Sequence, residues 1–410
     1  MKSIQLNRFC GRFVTSFKLS NNELVQTNLQ SRLQRQLKLC PQIILCSSCK
    51  KHVSSLSRIH KNKSINAGSS FKSFLFSSTP LEPTGNDVDF ESVFPFRFVY
   101  VRTSINMWED FPDGVQFDVG FVDTSYATTV SKRTPVILGI PSSVGTHEEL
   151  QSSLLTFAKL GYRVIIPNLP DSQYCRAKSR QESVVFMHSV NERSAFIRDF
   201  LREIKVDKVD LCLVNRDSVY SGVHLATYNK GLVQALVLLN PTGIQYTSSM
   251  EPVLFHKYFS IFWDDRFILQ PVIRSLVTGC KFLTKKKRWP TYSVITYSRI
   301  IRALSFTDVR QDAVSFRVRN VPTLAILGED SAELNTNDTF EYLASLALPT
   351  ASTVEWRCDQ GNTTVPPKEL LSGQSLVIRV PNAGPDLPTT HAVPLRHTLL
   401  TFLKAIRRDL

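Results

Sequence analysis

Apolar and polar residues alternate in two stretches near residue 100, and a period of two is typical of β-strands with one buried face. The apolar positions are Phe96, Phe98 and Tyr100 in the first stretch and Val115, Phe117, Val119 and Phe121 in the second. Residues 112–114, Pro-Asp-Gly, lie between the stretches and favour a turn. The pattern therefore predicts that two antiparallel strands open a sheet.

From residue 135 onward the pattern changes to short apolar runs, which favour strands buried on both faces. These runs cover residues 135–139, 163–167, 209–214, 236–241, 321–328 and 375–380. Segments with helical spacing lie between or after them, at residues 148–160, 189–204, 220–228 and 393–406. This order predicts an α/β fold with a mostly parallel central sheet flanked by helices. We expect one domain over residues 95–408.

Residues 245–320 interrupt this alternation and are rich in aromatic and basic side chains. We interpret the segment as a helical cap inserted over the sheet. Its basic run, residues 285–288, has the composition of a solvated face or of a surface for anions.

The first 80 residues differ from the rest of the chain in charge. They contain thirteen Lys/Arg residues and one acid, Glu23, and so hold nearly all of the net charge of +14. As a helix, residues 1–19 would gather four apolar side chains near one face, with basic residues around the rest; the four are Leu6, Phe9, Phe13 and Phe17. This extension is typical of a mitochondrial transit peptide. A basic tail on a cytoplasmic protein is the alternative.

Several partners and cofactors are disfavoured. The nearly neutral body of the chain gives no basic face for nucleic acid, and no run of about 18 apolar residues predicts a transmembrane segment. The eight cysteines are scattered, which favours a reducing compartment over a disulfide framework. Cys46 and Cys49 form one isolated pair, which is a weak zinc pattern without a second pair. We therefore predict no metal and no other cofactor.

Two local motifs carry a resemblance to a known family. Residues 138–141 read Leu-Gly-Ile-Pro, and residues 160–170 read Leu-Gly-Tyr-Arg-Val-Ile-Ile-Pro-Asn-Leu-Pro. The first resembles the His-Gly-x-Pro oxyanion loop of the α/β-hydrolase superfamily. The second resembles a sequence motif that lies near the second parallel strand in that superfamily. The whole chain also looks like an uncharacterised invertebrate branch of that superfamily. The resemblance implies an α/β-hydrolase fold, with Gly139 and Ile140 in the oxyanion loop.

Residues 215–219, Asn-Arg-Asp-Ser-Val, stand where that family carries its nucleophile elbow. The usual signature is Gly-x-Ser-x-Gly, and both glycines are absent. Centring the motif on Asp217 places fewer bulky groups beside the nucleophile than centring it on Ser218. Asp217 and Ser218 are therefore the candidate nucleophiles, and an ordinary loop after a strand is the alternative.

The acid and the base of the family's triad fall on unusual residues. Asp330 follows the strand at 321–328 and is the candidate acid. Residues 381–385 match a family phrase that ends in Gly-His, but Pro385 stands at the histidine position. Proline cannot accept a proton, so a base would have to come from His391 instead.

These departures favour a pseudo-hydrolase that binds a small apolar ligand or a protein partner. An active hydrolase of an ester or an epoxide with a relocated base is the alternative.

Overall fold

The computed structural model describes residues 93–104, 107–109, 111–126, 134–246, 250–265, 270–271, 274–275, 291–330, 336–358 and 365–408. The predicted N-terminal extension, the cysteine pair within it and the basic run at 285–288 lie outside the described residues. Most of the predicted domain at 95–408 lies inside them.

One ten-stranded sheet runs through the described part of the chain. Its strands are β1 (Phe96–Thr103), β2 (Val115–Asp123), β3 (Val136–Ile140), β4 (Arg163–Pro167), β5 (Cys175–Ala177), β6 (Leu211–Asn215), β7 (Leu236–Leu239), β8 (Thr323–Gly328), β9 (Val354–Glu355) and β10 (Leu376–Val380). They are ordered β1-β2-β4-β3-β6-β7-β8-β10-β9, and β5 pairs with β2. Strand β2 runs antiparallel to β1, β4 and β5, whereas the other pairs are parallel. The predicted mostly parallel sheet is confirmed.

Helices cover both faces of this sheet. They are α1 (Glu148–Lys159), α2 (Arg180–Val185), α3 (Val190–Glu203), α4 (Val219–Tyr228), α5 (Val253–Asp265), α6 (Thr291–Ala303), α7 (Phe306–Arg319), α8 (Thr336–Ser345), α9 (Leu387–Thr390) and α10 (Ala392–Arg408). Helices α3, α4 and α7 enclose one apolar core against the sheet, and α1 and α10 enclose the other. The result is the helix–sheet–helix layering that a parallel sheet needs, because each of its faces must be buried.

Local sequence signals explain several helix ends. Ser189 caps α3, with its hydroxyl accepting from the Glu192 backbone while the Glu192 side chain accepts from the Ser189 backbone. Helix α1 stops before Gly161, whose φ of 81° is a conformation that glycine adopts without strain. The two helices lie within one residue of their predicted bounds.

The segment predicted as a cap contains α5, α6 and α7. Arg299 of α6 links two of its neighbours, donating to Asp264 of α5 at 2.6 Å and to Asp171, in the loop after β4, at 2.5 Å. Helix α7 instead packs against α4, and Arg319 donates to the backbone oxygen of Thr227 at 2.7 Å. The last helix of the segment thus belongs to the layer that flanks the sheet.

Candidate functional site

Strand β6 leads through a short turn into α4, and this turn contains the strained residue of the region. Arg216 has a φ of 54°, a left-handed conformation that is unusual for a residue other than glycine or asparagine. A hydrolase nucleophile sits on such a strained strand-to-helix turn. Arg216, directly after β6, thus has the backbone conformation expected of a nucleophile residue in such a turn, one residue before Asp217 and two before Ser218. A guanidinium group offers no free lone pair for attack on a substrate.

Gly222 explains how α4 can start so close to the sheet. A Cβ atom at this position would lie 2.6 Å from Cγ2 of Val214 on β6, which is closer than packed atoms can approach. The glycine thus lets the first turns of α4 pack directly on the strand that precedes the elbow.

Asp217 belongs to a buried polar cluster. Its Oδ1 accepts from the Ser143 backbone N–H at 3.1 Å, and its Oδ2 lies 3.9 Å from Nη1 of Arg193. Arg193 is 2% exposed on α3 and also donates to the Ser143 hydroxyl. Burial lowers the pKa of Arg193, while the Asp217 carboxylate opposes that effect. These contacts make Asp217 the counter-ion of a buried arginine.

Ser218 lies in the same cluster and is fully buried. Its hydroxyl is 3.3 Å from the Ser143 hydroxyl. No hydrogen bond joins it to a histidine within the part of the chain that the structure describes.

The loop after β3 directs its N–H groups at carboxylates of the protein itself. The Ser142 N–H donates to Glu149 at 2.9 Å, and the Ser143 N–H donates to Asp217. An oxyanion hole needs such donors to point at an empty position where charge develops. Two donors beside the elbow are therefore already satisfied.

The predicted oxyanion residues, Gly139 and Ile140, lie within β3 and not in that loop. Ile140 is fully buried and is in register with Val214 of β6. A Cβ atom on Gly139 would lie 2.9 Å from Cδ1 of Leu154, so a larger residue there would require the Leu154 side chain of α1 to shift.

Glu149, in the first turn of α1, is a carboxylate that the sequence did not single out. It also accepts from the Ser142 hydroxyl at 2.8 Å and from Nδ2 of Asn215 at 3.2 Å. Burial raises the pKa of Glu149, although the hydrogen bonds from Ser142 and Asn215 and the charge of Arg216 oppose this. Glu149 thereby joins the β3 loop to the last residue before the elbow.

The segments that would carry the acid and the base are tied together by Asn240, after β7. Its Oδ1 accepts from the Gly328 N–H at 2.8 Å, and its Nδ2 donates to the backbone oxygens of Gly384 at 3.3 Å and Pro385 at 3.1 Å. Asp330 is exposed, and its backbone N–H donates to the Ala383 oxygen at 3.0 Å. Pro385 stands where the resembling family motif would carry a histidine. It is thus anchored by the hydrogen bond from Asn240 to its backbone oxygen.

His391, the candidate replacement base, lies between α9 and α10. It is 3% exposed, and its Nδ1 is 2.9 Å from the Thr390 hydroxyl. Burial lowers the pKa of this imidazole. No hydrogen bond joins His391 to Asp217 or Ser218, all of which are described. The four candidate catalytic residues therefore do not form one hydrogen-bonded set.

A cleft of about 370 Å³ opens beside the elbow. Its lining residues are Val144, Gly145, Thr146, Glu148, Glu149, Gln173, Ser293 and Thr389, and most of the surface that they expose to the cleft is apolar. Ser293 belongs to α6, so the predicted cap contributes to this cleft. Within the described residues, no group of three potential ligand side chains could hold a metal ion. None of the helices described is both long and apolar enough to cross a membrane.

The sequence matches no protein-family model and no curated protein. Among solved structures, the haloalkane dehalogenase DbeA from Bradyrhizobium elkani is 10% identical over 77% of this chain and 100% of its own, with a TM-score of 0.49. A thioesterase domain from the curacin biosynthetic pathway is 14% identical over 75% of this chain and 99% of its own, with a TM-score of 0.48. An enol-lactonase from Burkholderia xenovorans is 12% identical over 71% and 97%, with a TM-score of 0.47.

The topology itself identifies the fold. Within the described residues, the antiparallel pairings of the sheet are those of β2 with β1, β4 and β5, the order β4-β3-β6-β7-β8-β10-β9 is parallel, and a strained strand–turn–helix elbow joins β6 to α4. Together with the motifs at residues 138–141 and 160–170, these features show that the chain has the fold of the α/β-hydrolase superfamily.

Proposed function

We propose that this protein is a pseudo-hydrolase, which keeps the α/β-hydrolase fold but binds a ligand or a partner without hydrolysing it. The observation that carries the proposal is Arg216 at the strained elbow position. A guanidinium offers no lone pair for attack on a carbonyl or an epoxide carbon, and the two residues after it are buried in contacts with Ser143.

The loops around the elbow support the same proposal. Activation of a serine or of water requires a base within about 3 Å of the attacking oxygen, or one water away. Pro385 replaces the family histidine and its carbonyl is bound by Asn240, whereas His391 is bound to its own neighbour Thr390. The alternative of an active hydrolase would require His391 to leave that position and reach Asp217 or Ser218.

The cleft beside the elbow is the candidate binding site for the ligand or partner. Its lining includes Glu149, Gln173, Ser293 and Thr389, all of which offer hydrogen-bonding groups. Most of the surface that lines the cleft is nevertheless apolar, which favours the small apolar ligand that the sequence predicts.

Hydrolysis assays test this proposal directly. The full chain is incubated with a short-chain p-nitrophenyl ester and with an epoxide, beside Ser218→Ala, Asp217→Asn and His391→Ala variants whose folding is checked by circular dichroism. We expect background rates from all four proteins. Turnover by the wild type that is lost in both an elbow variant and His391→Ala would mean an active site with a relocated base, and the proposal would be wrong.

A further inference from the structure

A second and larger cleft lies between α3, α4 and α7. Its volume is about 550 Å³, which is within the range of small-molecule sites. None of its lining residues belongs to the elbow cleft. Its charged and aromatic residues are Arg198 of α3, His224 and Tyr228 of α4, and Asp308 and Asp312 of α7.

Two of these residues are carboxylates without a basic partner. Asp308 and Asp312 are one helical turn apart, and neither forms an ion pair with any lysine or arginine that the structure describes. Arg198 also lines the cleft, and its Nε and Nη2 donate to Asp199 at 3.1 and 3.0 Å. Asp312 is only 7% exposed and has a hydrogen bond from Tyr228. A buried carboxylate with no counter-ion is costly, so a bound cation would stabilise it.

The opposite wall is aromatic and lies at the C-terminal end of α4. The His224 and Tyr228 rings are 4.4 Å apart. Burial lowers the pKa of His224 to about 4, so the imidazole is neutral at pH 7 and does not repel a cation. Its Nδ1 is buried and has no hydrogen-bond partner. The negative end of the α4 dipole adds to this preference for positive charge.

We propose that this cleft binds a small organic ammonium ion. The carboxylates supply the charge, the tyrosine ring supplies a face for a cation–π contact, and the volume accommodates an organic molecule. A bare metal ion fits less well, because no three ligand side chains converge among the described residues. This proposal is independent of whether the elbow is catalytic.

Isothermal titration of the full chain with putrescine (butane-1,4-diamine) and with choline tests the proposal, and butane-1,4-diol is the neutral control. We expect at least one of the two ammonium compounds to bind at pH 7.5 and the diol not to bind. Asp312→Asn should weaken that binding at least tenfold while keeping the shape of the side chain. Asp207→Asn, on an exposed loop, removes the same charge elsewhere and should leave binding unchanged.

The pH dependence provides a second readout. Burial, reinforced by the charge of Asp308, raises the pKa of Asp312 to about 6. Binding should therefore weaken as the pH falls from 7.5 to 5, when Asp312 takes up a proton, and this slope should be absent in Asp312→Asn. Failure of both ammonium compounds to bind, equal binding of the diol, or equal losses in Asp207→Asn and Asp312→Asn would each overturn the proposal.

Discussion

At the scale of single residues, the contact between Arg193 and Asp217 defines what the elbow can do. A charged group taken out of water is tolerated only when it is paired and hydrogen-bonded. The Asp217 carboxylate balances the charge of Arg193 and accepts a hydrogen bond from the Ser143 N–H. It thereby links the elbow to α3 and to the β3 loop. A carboxylate held in this way contributes to the stability of the fold.

Replacing Asp217 with asparagine should therefore lower the free energy of unfolding. The change keeps the shape but leaves the Arg193 guanidinium buried without its counter-ion, and such losses cost about 3 kcal/mol. Urea unfolding at pH 7.5 would measure the effect. Asp330→Asn is the matched control, and because Asp330 is exposed its stability should stay within about 0.5 kcal/mol of the wild type. Equal stability of Asp217→Asn and the wild type would show that the pair contributes little.

Asp312 should make stability depend on pH in a direction opposite to that of a salt-bridged carboxylate. Its pKa of about 6 in the folded protein is above the ordinary value of 3.8. The folded state thus binds the proton of Asp312 more tightly than the unfolded state does. The stability that this proton binding contributes is fully present below about pH 4 and is lost as the pH rises through 6. At pH 7.5, Asp312→Asn should be more stable than the wild type by about 1–2 kcal/mol.

Thermal unfolding of both proteins between pH 4 and pH 8 would check this. The difference should shrink toward pH 4, where the wild-type carboxyl is also uncharged. A stability difference that stays constant across that range would mean that Asp312 does not titrate as expected. The control Asp207→Asn should differ from the wild type by the same amount at every pH.

The elbow also shows a limit of sequence reasoning at this scale. The register with the fewest bulky flanking side chains centres the motif on Asp217, with Ser218 as the less favourable choice. The structure instead gives the left-handed conformation to Arg216, and no intrinsic preference of arginine predicts that. Gly222 was a readable signal, since a glycine early in α4 permits close packing on β6. Glu149 and Arg193 gave no signal, because acids begin many helices and the burial of an arginine depends on tertiary contacts.

At the scale of elements, the strands that a sequence predicts are those that form continuous apolar runs. Strands β3, β4, β6, β7, β8 and β10 were predictable because each is buried on both faces and reads as an apolar run. Strand β5 was missed, since its three residues, Cys175–Ala177, only pair with the edge of β2. Helix α8 was also missed, because only three of its residues are buried and its polar majority hides the helical period.

Asn240 is the residue through which three of these elements meet. Its side chain makes three hydrogen bonds to the segments that follow β8 and β10. Its own φ is 45°, a conformation that glycine also adopts. Asn240→Gly therefore removes the hydrogen bonds without straining the backbone, and it should lower stability by about 2 kcal/mol.

Hydrogen exchange would locate the effect of this change. Faster exchange should be confined to residues 328–330 and 381–391, where the anchored segments lie. Asn320→Gly is the control, because Asn320 is also left-handed, with a φ of 50°, at the end of α7. If both variants exchange alike, the hydrogen bonds of Asn240 do not hold these segments.

At the scale of the whole molecule, the chain divides into two parts that differ in charge. Residues 1–80 carry thirteen basic residues and one acid, while the remaining residues are close to neutral. The charge of the basic part is suited to movement across a membrane with a negative interior, where each positive charge gains about 2.3 kcal/mol per 100 mV.

We therefore expect residues 1–80, fused to a fluorescent protein, to carry it into mitochondria of cultured cells. Arg8, Arg12 and Lys18 lie around the apolar face of the predicted helix at residues 1–19, so replacing all three with glutamine should leave the fusion in the cytoplasm. Replacing Arg32, Arg35 and Lys38 removes the same charge beyond that helix and should preserve most of the import. A wild-type fusion that remains in the cytoplasm would mean that residues 1–80 are not a mitochondrial targeting signal. Equal losses in the two triple variants would mean that total charge, and not an amphipathic helix, is what the import machinery requires.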